Sequence, residues 1–385
     1  PMRKFHPYAL KAEARGMKIH HLNIGQPDIP TPPAFFDAVH SYRSEVLAYA
    51  PSPGVPAYVE AVQRYYQRIG APLAEGDILA TTGGSEALQM AMSCILDEGD
   101  EILIPEPFYT NYNTFVHVAG GRIRPIHSSP EEGYRYAERS RIEPLITERT
   151  RAILVTNPGN PTGTVLTPEE MNVIADIAKE HGLFLVADEV YREFVYGGEP
   201  LSTFLTIPGL EENLIVVDSV SKRFSACGAR VGALISRNPE FIAQAMKLCQ
   251  GRLCSATLDQ LGAAALYSVD PDYFTATRDE YRRRRNACVE GLHKIPGVVC
   301  GEPKGAFYLM AKLPVDDADR FQTWLLEEFE DQGETLMFAP GEGFYATPGK
   351  GKNEIRIAYV LNEADIRRSM ELLGIAIARY QKEKM

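Results

Sequence analysis

Short unbroken runs of apolar residues recur through the middle of the chain. Between them lie stretches whose apolar positions return every three or four residues. Ile102-Leu103-Ile104, Ala152-Ile153-Leu154-Val155, Leu183-Phe184-Leu185-Val186 and Leu214-Ile215-Val216-Val217 are such runs. Apolar stretches of this length without alternation mark strands covered on both faces. Between the second and third runs, Met171, Ile174, Ile177 and Ala178 share one helical face. Thr167 stands as N-cap of that helix, Pro168 at its first position and Glu170 three residues after the cap, which is capping-box spacing; Gly182 stops it. Strand, helix, strand in this rhythm predicts an α/β fold: a mostly parallel, doubly wound sheet flanked by helices.

The rhythm changes after about residue 237. Helical spacing covers 239–250, 257–268 and about 271–294, and the last ninety or so residues read as α+β. Strands are expected at Ala306–Lys312 and Glu354–Tyr359, and helices at 317–330 and 363–381. No 20–50-residue repeat marks a solenoid or propeller. A chain of 385 residues exceeds one compact core, so a large α/β domain with a smaller companion is expected.

Composition narrows the function classes. Hydrophobic residues at 45% and charged residues at 24% are globular values, which exclude a disordered or fibrous chain. Forty Lys and Arg against 51 Asp and Glu give a net charge of −11, a poor basis for binding nucleic acid. The one basic run, Arg282 to Arg285, reads as the solvated face of a long helix. Six cysteines without CxxC or zinc-type spacing read as free buried thiols, so no metal site and a reducing, cytoplasmic location are expected. No stretch is apolar enough for a membrane span, and Pro1-Met2-Arg3-Lys4 leads into polar residues rather than a signal core.

Candidate chemistry lies where the strands end. Asn157-Pro158-Gly159-Asn160-Pro161-Thr162-Gly163 follows one strand, Asp188-Glu189-Val190-Tyr191 the next, and Ser219-Val220-Ser221-Lys222 the next, with Arg230 eight residues beyond the lysine. Ligands of open α/β sheets bind outside the carboxyl ends of the strands, so an amide, a carboxylate, a phenol and a lysine face one crevice. Upstream, Gly83-Gly84-Ser85-Glu86 opens a helix whose apolar face is Ala87, Leu88, Ala91, Met92 and Ile95. A glycine turn feeding a helix N-terminus offers free N–H groups to an anion such as phosphate. The segment has neither the P-loop nor the GxGxxG pattern, which disfavours ordinary NTP or NAD binding.

Asn-Pro-x-Asn-Pro-Thr-Gly, Asp-Glu-x-Tyr, and Ser-x-Ser-Lys with an arginine eight residues on resemble, in this order, the class I pyridoxal-phosphate-dependent aminotransferases of the aspartate aminotransferase fold. The likeness runs from Asn23-Ile24-Gly25-Gln26-Pro27-Asp28 to Asn353-Glu354-Ile355-Arg356-Ile357-Ala358. It implies a large cofactor-binding domain over 28–282 and a small domain made of 1–27 and 283–385. It also implies that Lys222 carries pyridoxal 5′-phosphate and, once freed by the substrate amine, moves the proton between substrate Cα and cofactor C4′. Asp188 would pair with the pyridine nitrogen, Tyr191 and Asn160 would bond the phenolate oxygen, and Tyr109 would stack on the ring. Gly84, Ser85 and Glu86, with Ser219, Ser221 and Arg230, would cup the phosphate. Arg356 would clamp the substrate carboxylate, with the Gly25 backbone alongside. Tyr49 matches a tyrosine that reaches the phosphate from the neighbouring subunit, which implies a homodimer with shared sites.

The reaction so implied is transfer of an amino group from an L-amino acid to a 2-oxo acid, with 2-oxoglutarate as acceptor, by a ping-pong mechanism. Aspartate is the leading donor, with aromatic amino acids and alanine as competitors. Arg252 is the one candidate in this stretch for a second, side-chain carboxylate clamp, and a structural role is its alternative. The runner-up activity is a C–S β-lyase of the same fold. A cofactor-binding regulator is disfavoured, because only about 27 residues precede Asp28 and leave no room for a DNA-binding helix-turn-helix.

Overall fold

The computed structural model describes residues 2–198 and 201–384. Pro1 and Met385, the ends of the two stretches assigned to the small domain, lie outside them. Strand β1 is Lys18–His21, and β2 (Ile78–Thr81), β3 (Glu101–Pro105), β4 (Arg122–Ile126) and β5 (Thr150–Thr156) follow. Next come β6 (Phe184–Asp188), β7 (Leu214–Ser219) and β8 (Gly232–Ile235). The C-terminal part holds β9 (Val299–Cys300), β10 (Tyr308–Lys312), β11 (Glu334–Met337), β12 (Ala339–Pro340) and β13 (Glu354–Ala358).

The large sheet has seven strands in the order β2-β8-β7-β6-β5-β3-β4. β8 alone runs opposite to the other six strands. The apolar runs supply both of its faces. Ile153, Val155, Leu185, Ala187, Leu214 and Val216 pack into one core. Ala152, Leu154, Val186, Ile215 and Val217 pack into another. Since neighbouring residues of a strand point to opposite faces, helices on both sides require apolar residues at every position. The capping box closes as expected: Thr167 Oγ1 accepts from Glu170 N at 3.2 Å, and Glu170 Oε2 accepts from Thr167 N at 2.9 Å.

Register brings the strand ends together. Thr156 pairs with Asp188, Asp188 with Val217, and Ser219 with Gly232, which in turn faces Thr81. The ends of β5, β6, β7 and β2 therefore share one edge of the sheet.

Past β8, the C-terminal part forms a four-stranded antiparallel sheet, β12-β13-β10-β9. The N-terminal segment is stitched into it. β1 pairs with β11 in parallel, Leu22 N donates to Met337 O at 2.7 Å, and Ala358 N donates to Leu22 O at 2.8 Å. The helix Asp272–His293 is continuous through residue 282, where the domain boundary was expected.

That helix also corrects the reading of its arginines. Arg282 and Arg283 are exposed, but Arg284 and Arg285 are buried. Arg284 reaches Asp28 at 2.6 Å and Glu280 at 2.8 Å, and Arg285 reaches Glu302 at 3.0 Å. Four consecutive helical positions span more than half of the circumference, so they cannot all face water on a packed helix. Among the described residues, no helix is long and apolar enough to cross a membrane.

Candidate active site

A cavity of about 750 Å³ opens between the shared edge of the large sheet, the N-terminal segment and the C-terminal sheet. Every site residue expected from the sequence lines it except Tyr49 and Glu86.

One end is built for an anion. The helix Gly83–Ile95 begins here with Gly83 at φ +69°, and a Cβ at that position would collide with the guanidinium of Arg230. Gly84 and Ser85 in its first turn face the cavity with their N–H groups free of intrahelical partners. Ser219 caps the turn Val220–Arg223, and its hydroxyl lies 2.8 Å from that of Ser221. Arg230 is in the left-handed region at φ +52° and donates to the Cys227 carbonyl at 3.0 Å. Glu86 turns away: its carboxylate pairs with Arg252 at 2.9 Å and accepts from Thr82 N at 2.6 Å. An anion site gains nothing from that carboxylate, and only its backbone N–H remains suited to the expected role. Arg252, which also donates to Ala80 O at 2.6 Å, is thereby engaged within its own subunit.

The middle of the cavity holds Lys222, Asp188, Tyr191, Asn160 and Tyr109. Lys222 Nζ donates to Gly25 O at 2.7 Å and lies 3.8 Å from Cys227 Sγ. Asp188 is buried, and Tyr112 donates to its Oδ2 at 2.6 Å. Burial pushes its pKa up to about 6, against the opposing pull of the bonds from Tyr112 and Val190 N. Tyr191 and Tyr308 share a hydroxyl contact of 2.9 Å. The phenol of Tyr191 is raised well above its ordinary range by burial and by Tyr308.

The far wall carries Arg356, 3% exposed. Its Nη1 donates to Asn160 Oδ1 at 3.2 Å and its Nη2 to Asn23 O at 2.7 Å, while Nε has no partner among the described residues. The guanidinium carbon lies 4.6 Å from the Tyr308 ring centre and 5.1 Å from that of Phe344. Burial draws its pKa down. Among the described residues, neither Lys222, Arg230 nor Arg356 is paired with a carboxylate. Three cationic groups thus line one cavity of an acidic protein, a set that suits a ligand with two anionic ends.

Tyr49 stands apart, 79% exposed beside Val46 and Leu47, which are also exposed. Sequence reasoning missed Tyr112, Tyr308 and Asn23. Tyr112 follows Tyr109 by about one helical turn, a spacing that could have flagged it. Asn23 acts through its carbonyl, and Tyr308 through its ring against Arg356 and its hydroxyl against Tyr191, both distant in sequence, so neither carried a local signal.

The family model described as aminotransferase class I and II matches residues 18–373. An aspartate aminotransferase of Streptomyces avermitilis is 32% identical over 372 residues, covering 92% of this chain and 88% of that one. An aspartate/prephenate aminotransferase of Thermus thermophilus is 30% identical over 378 residues, covering 96% and 94%. Among solved structures, an alanine aminotransferase from Pyrococcus furiosus superposes with a TM-score of 0.89 at 28% identity, covering 98% and 97% of the two chains.

Proposed function

The chain belongs to the class I and II aminotransferases, which use pyridoxal phosphate, and we propose that it transfers the amino group of an L-amino acid, aspartate foremost, to 2-oxoglutarate. The observation that carries this reading is the buried Arg356, with Nε unpartnered, in the cavity that also holds Lys222 and Asp188. A buried guanidinium without a carboxylate is costly, and the planar carboxylate of an amino acid or oxo acid offsets that cost through two parallel hydrogen bonds.

The cavity fits pyridoxal phosphate by its donor chemistry. Gly84, Ser85, Ser219, Ser221 and Arg230 would hold the phosphate, Tyr109 the face of the ring, Asp188 its nitrogen, and Asn160 and Tyr191 its phenolate oxygen. When bound, the cofactor draws electrons from the substrate Cα and stores the amino nitrogen between the two halves of the reaction.

This chain's own residues do the rest. Arg356, packed between Tyr308 and Phe344, orients the carboxylate and with it Cα. Lys222 Nζ, held by the Gly25 carbonyl, takes and returns the Cα proton. Asp188 is less costly to ionise opposite a cationic ring nitrogen than alone, so its raised pKa favours that partner. Donor and acceptor both carry a carboxylate beside the reacting carbon, so Arg356 serves both in turn, which supports a ping-pong order.

Donor choice rests on the relatives, whose names include aspartate and alanine aminotransferases; aromatic amino acids are further competitors. The exposed Val46, Leu47 and Tyr49 support a homodimer in which Tyr49 enters the neighbouring site. Free thiols, two of them fully buried, fit the cytoplasmic location we assign. Incubation with an amino acid and 2-oxoglutarate tests the function. Glutamate should form, with parallel double-reciprocal plots; pyruvate and ammonia formed without an acceptor would sink the proposal in favour of a β-lyase.

A further inference from the structure

Glu106 directly follows β3, three residues before Tyr109, and is wholly buried. Its carboxylate accepts from the Thr347 hydroxyl at 2.8 Å and from Ala346 N and Thr347 N, each at 3.1 Å. His127 Nδ1 lies 2.8 Å and Lys350 Nζ 3.3 Å from Oε1, the oxygen that accepts from the Thr347 hydroxyl. Burial alone would raise its pKa, yet the Thr347 and His127 bonds hold it below the ordinary range. A buried carboxylate is unfavourable unless bonded on several sides, and here most donors come from one loop of the C-terminal part.

Both chain segments that Glu106 joins reach the cavity. On its own side, Tyr109 lines the cavity and Tyr112 bonds Asp188. On the other side, Ala339 pairs with Arg356 across β12 and β13, and Phe344 lies against the guanidinium. Between them, Phe108 N donates to Phe344 O at 2.8 Å.

We propose that Glu106 is a positioning residue: it fastens the loop 341–350 to the segment 106–112, so that the Arg356 clamp and the wall bearing Tyr109 and Asp188 keep one spacing. The proposal rests on the reading of Arg356 as the substrate-carboxylate site. Glu106 touches neither substrate nor cofactor; it acts through Phe344 on one side and Phe108 on the other. Lys222 and the residues proposed to cup the phosphate lie in neither segment, so its effect falls chiefly on how the substrate is seated.

The test uses the full chain loaded with pyridoxal phosphate and two substitutions. Glu106→Gln keeps the shape but loses the charge that faces His127 and Lys350. Thr347→Val removes one donor and is the milder change, and it decides the matter if Glu106→Gln does not fold. KM for the amino donor should rise about tenfold in Glu106→Gln and about threefold in Thr347→Val. Cofactor content, read from absorption at about 420 nm, should stay at the wild-type level. Wild-type KM values with only a lowered melting temperature would make Glu106 merely structural and overturn the proposal. A wild-type protein that binds cofactor but shows no saturable donor dependence would instead defeat the reading of Arg356, a result visible before any substitution is made.

Discussion

Arg356 is held by two neutral acceptors and two aromatic rings and, among the described residues, by no anion, so its charge is reserved for a ligand. Lysine there would keep the charge but lose the fork that matches a carboxylate. Arg356→Lys should lower kcat/KM by about ten- to a hundredfold, the scale of one charged hydrogen bond. Steady-state kinetics check this, and unaltered values would remove Arg356 from the site. Asp188 makes a second residue-scale prediction. Its folded pKa of about 6 lies above the ordinary carboxylate value of about 4, so the folded cofactor-free protein binds more protons than the unfolded chain between those pH values. Stability of the cofactor-free protein should therefore fall as pH rises from about 4 to about 6, by roughly 2–3 kcal/mol from this group, and stay lower above that window. Asp188→Asn should remove that slope in denaturant titrations across pH, while weakening cofactor binding. Lys222, Asp188, Asn160 and Arg230 were legible in the sequence because strand-end positions in a doubly wound sheet converge. Tyr308 and Asn23 were not, since contacts with residues distant in sequence and a backbone carbonyl leave no local pattern.

At the scale of elements, the end of β7 and the turn that follows it are held from beneath by buried charge. Asp218 accepts from Arg223 at 2.8 and 3.0 Å and from Tyr66 at 2.8 Å, with Arg192 at 3.5 Å. All three charged side chains are about 1% exposed or less. Arg223 is the residue after Lys222, so this cluster fixes the turn that presents the lysine. Asp218→Ala would strand the buried guanidinium of Arg223, whereas Arg192 keeps the buried carboxylate of Glu189 at 3.1 Å; the change should cost about 3–5 kcal/mol, read by chemical denaturation. A loss below about 1 kcal/mol would mean that water reaches the cluster. The strands β3, β5, β6 and β7 and the capped helix Pro168–Glu180 were readable, because burial on both faces and a capping box are both written in residue type. The edge strand β4 was not: its residues are mostly half-exposed and include Pro125, so neither an apolar run nor a clean alternation marks it. Arg284 and Arg285 were misread for a related reason, because charge suggested solvent where helix geometry turned them inward.

For the whole molecule, we take the seven-stranded sheet with its helices as the large domain, and the C-terminal sheet with the stitched N-terminal segment as the small one. The cavity lies between them, so Gly25 and Arg356 meet Lys222 only through the fold. Gly25 must be glycine on this account, because a Cβ there would collide with the Tyr308 hydroxyl. The net charge of −11 describes the shell, whereas Lys222, Arg230 and Arg356 give the cavity the opposite sign. The exposed Tyr49 predicts a dimer by sedimentation, with weaker cofactor retention in Tyr49→Phe; a monomer with full activity would contradict shared sites. The central claim, that Lys222 carries pyridoxal phosphate in this cavity, is tested most directly by an absorption spectrum after incubation with the cofactor. Wild type should show a band at about 410–430 nm that Lys222→Ala lacks. A wild-type spectrum without that band, or one that Lys222→Ala reproduces, would contradict it.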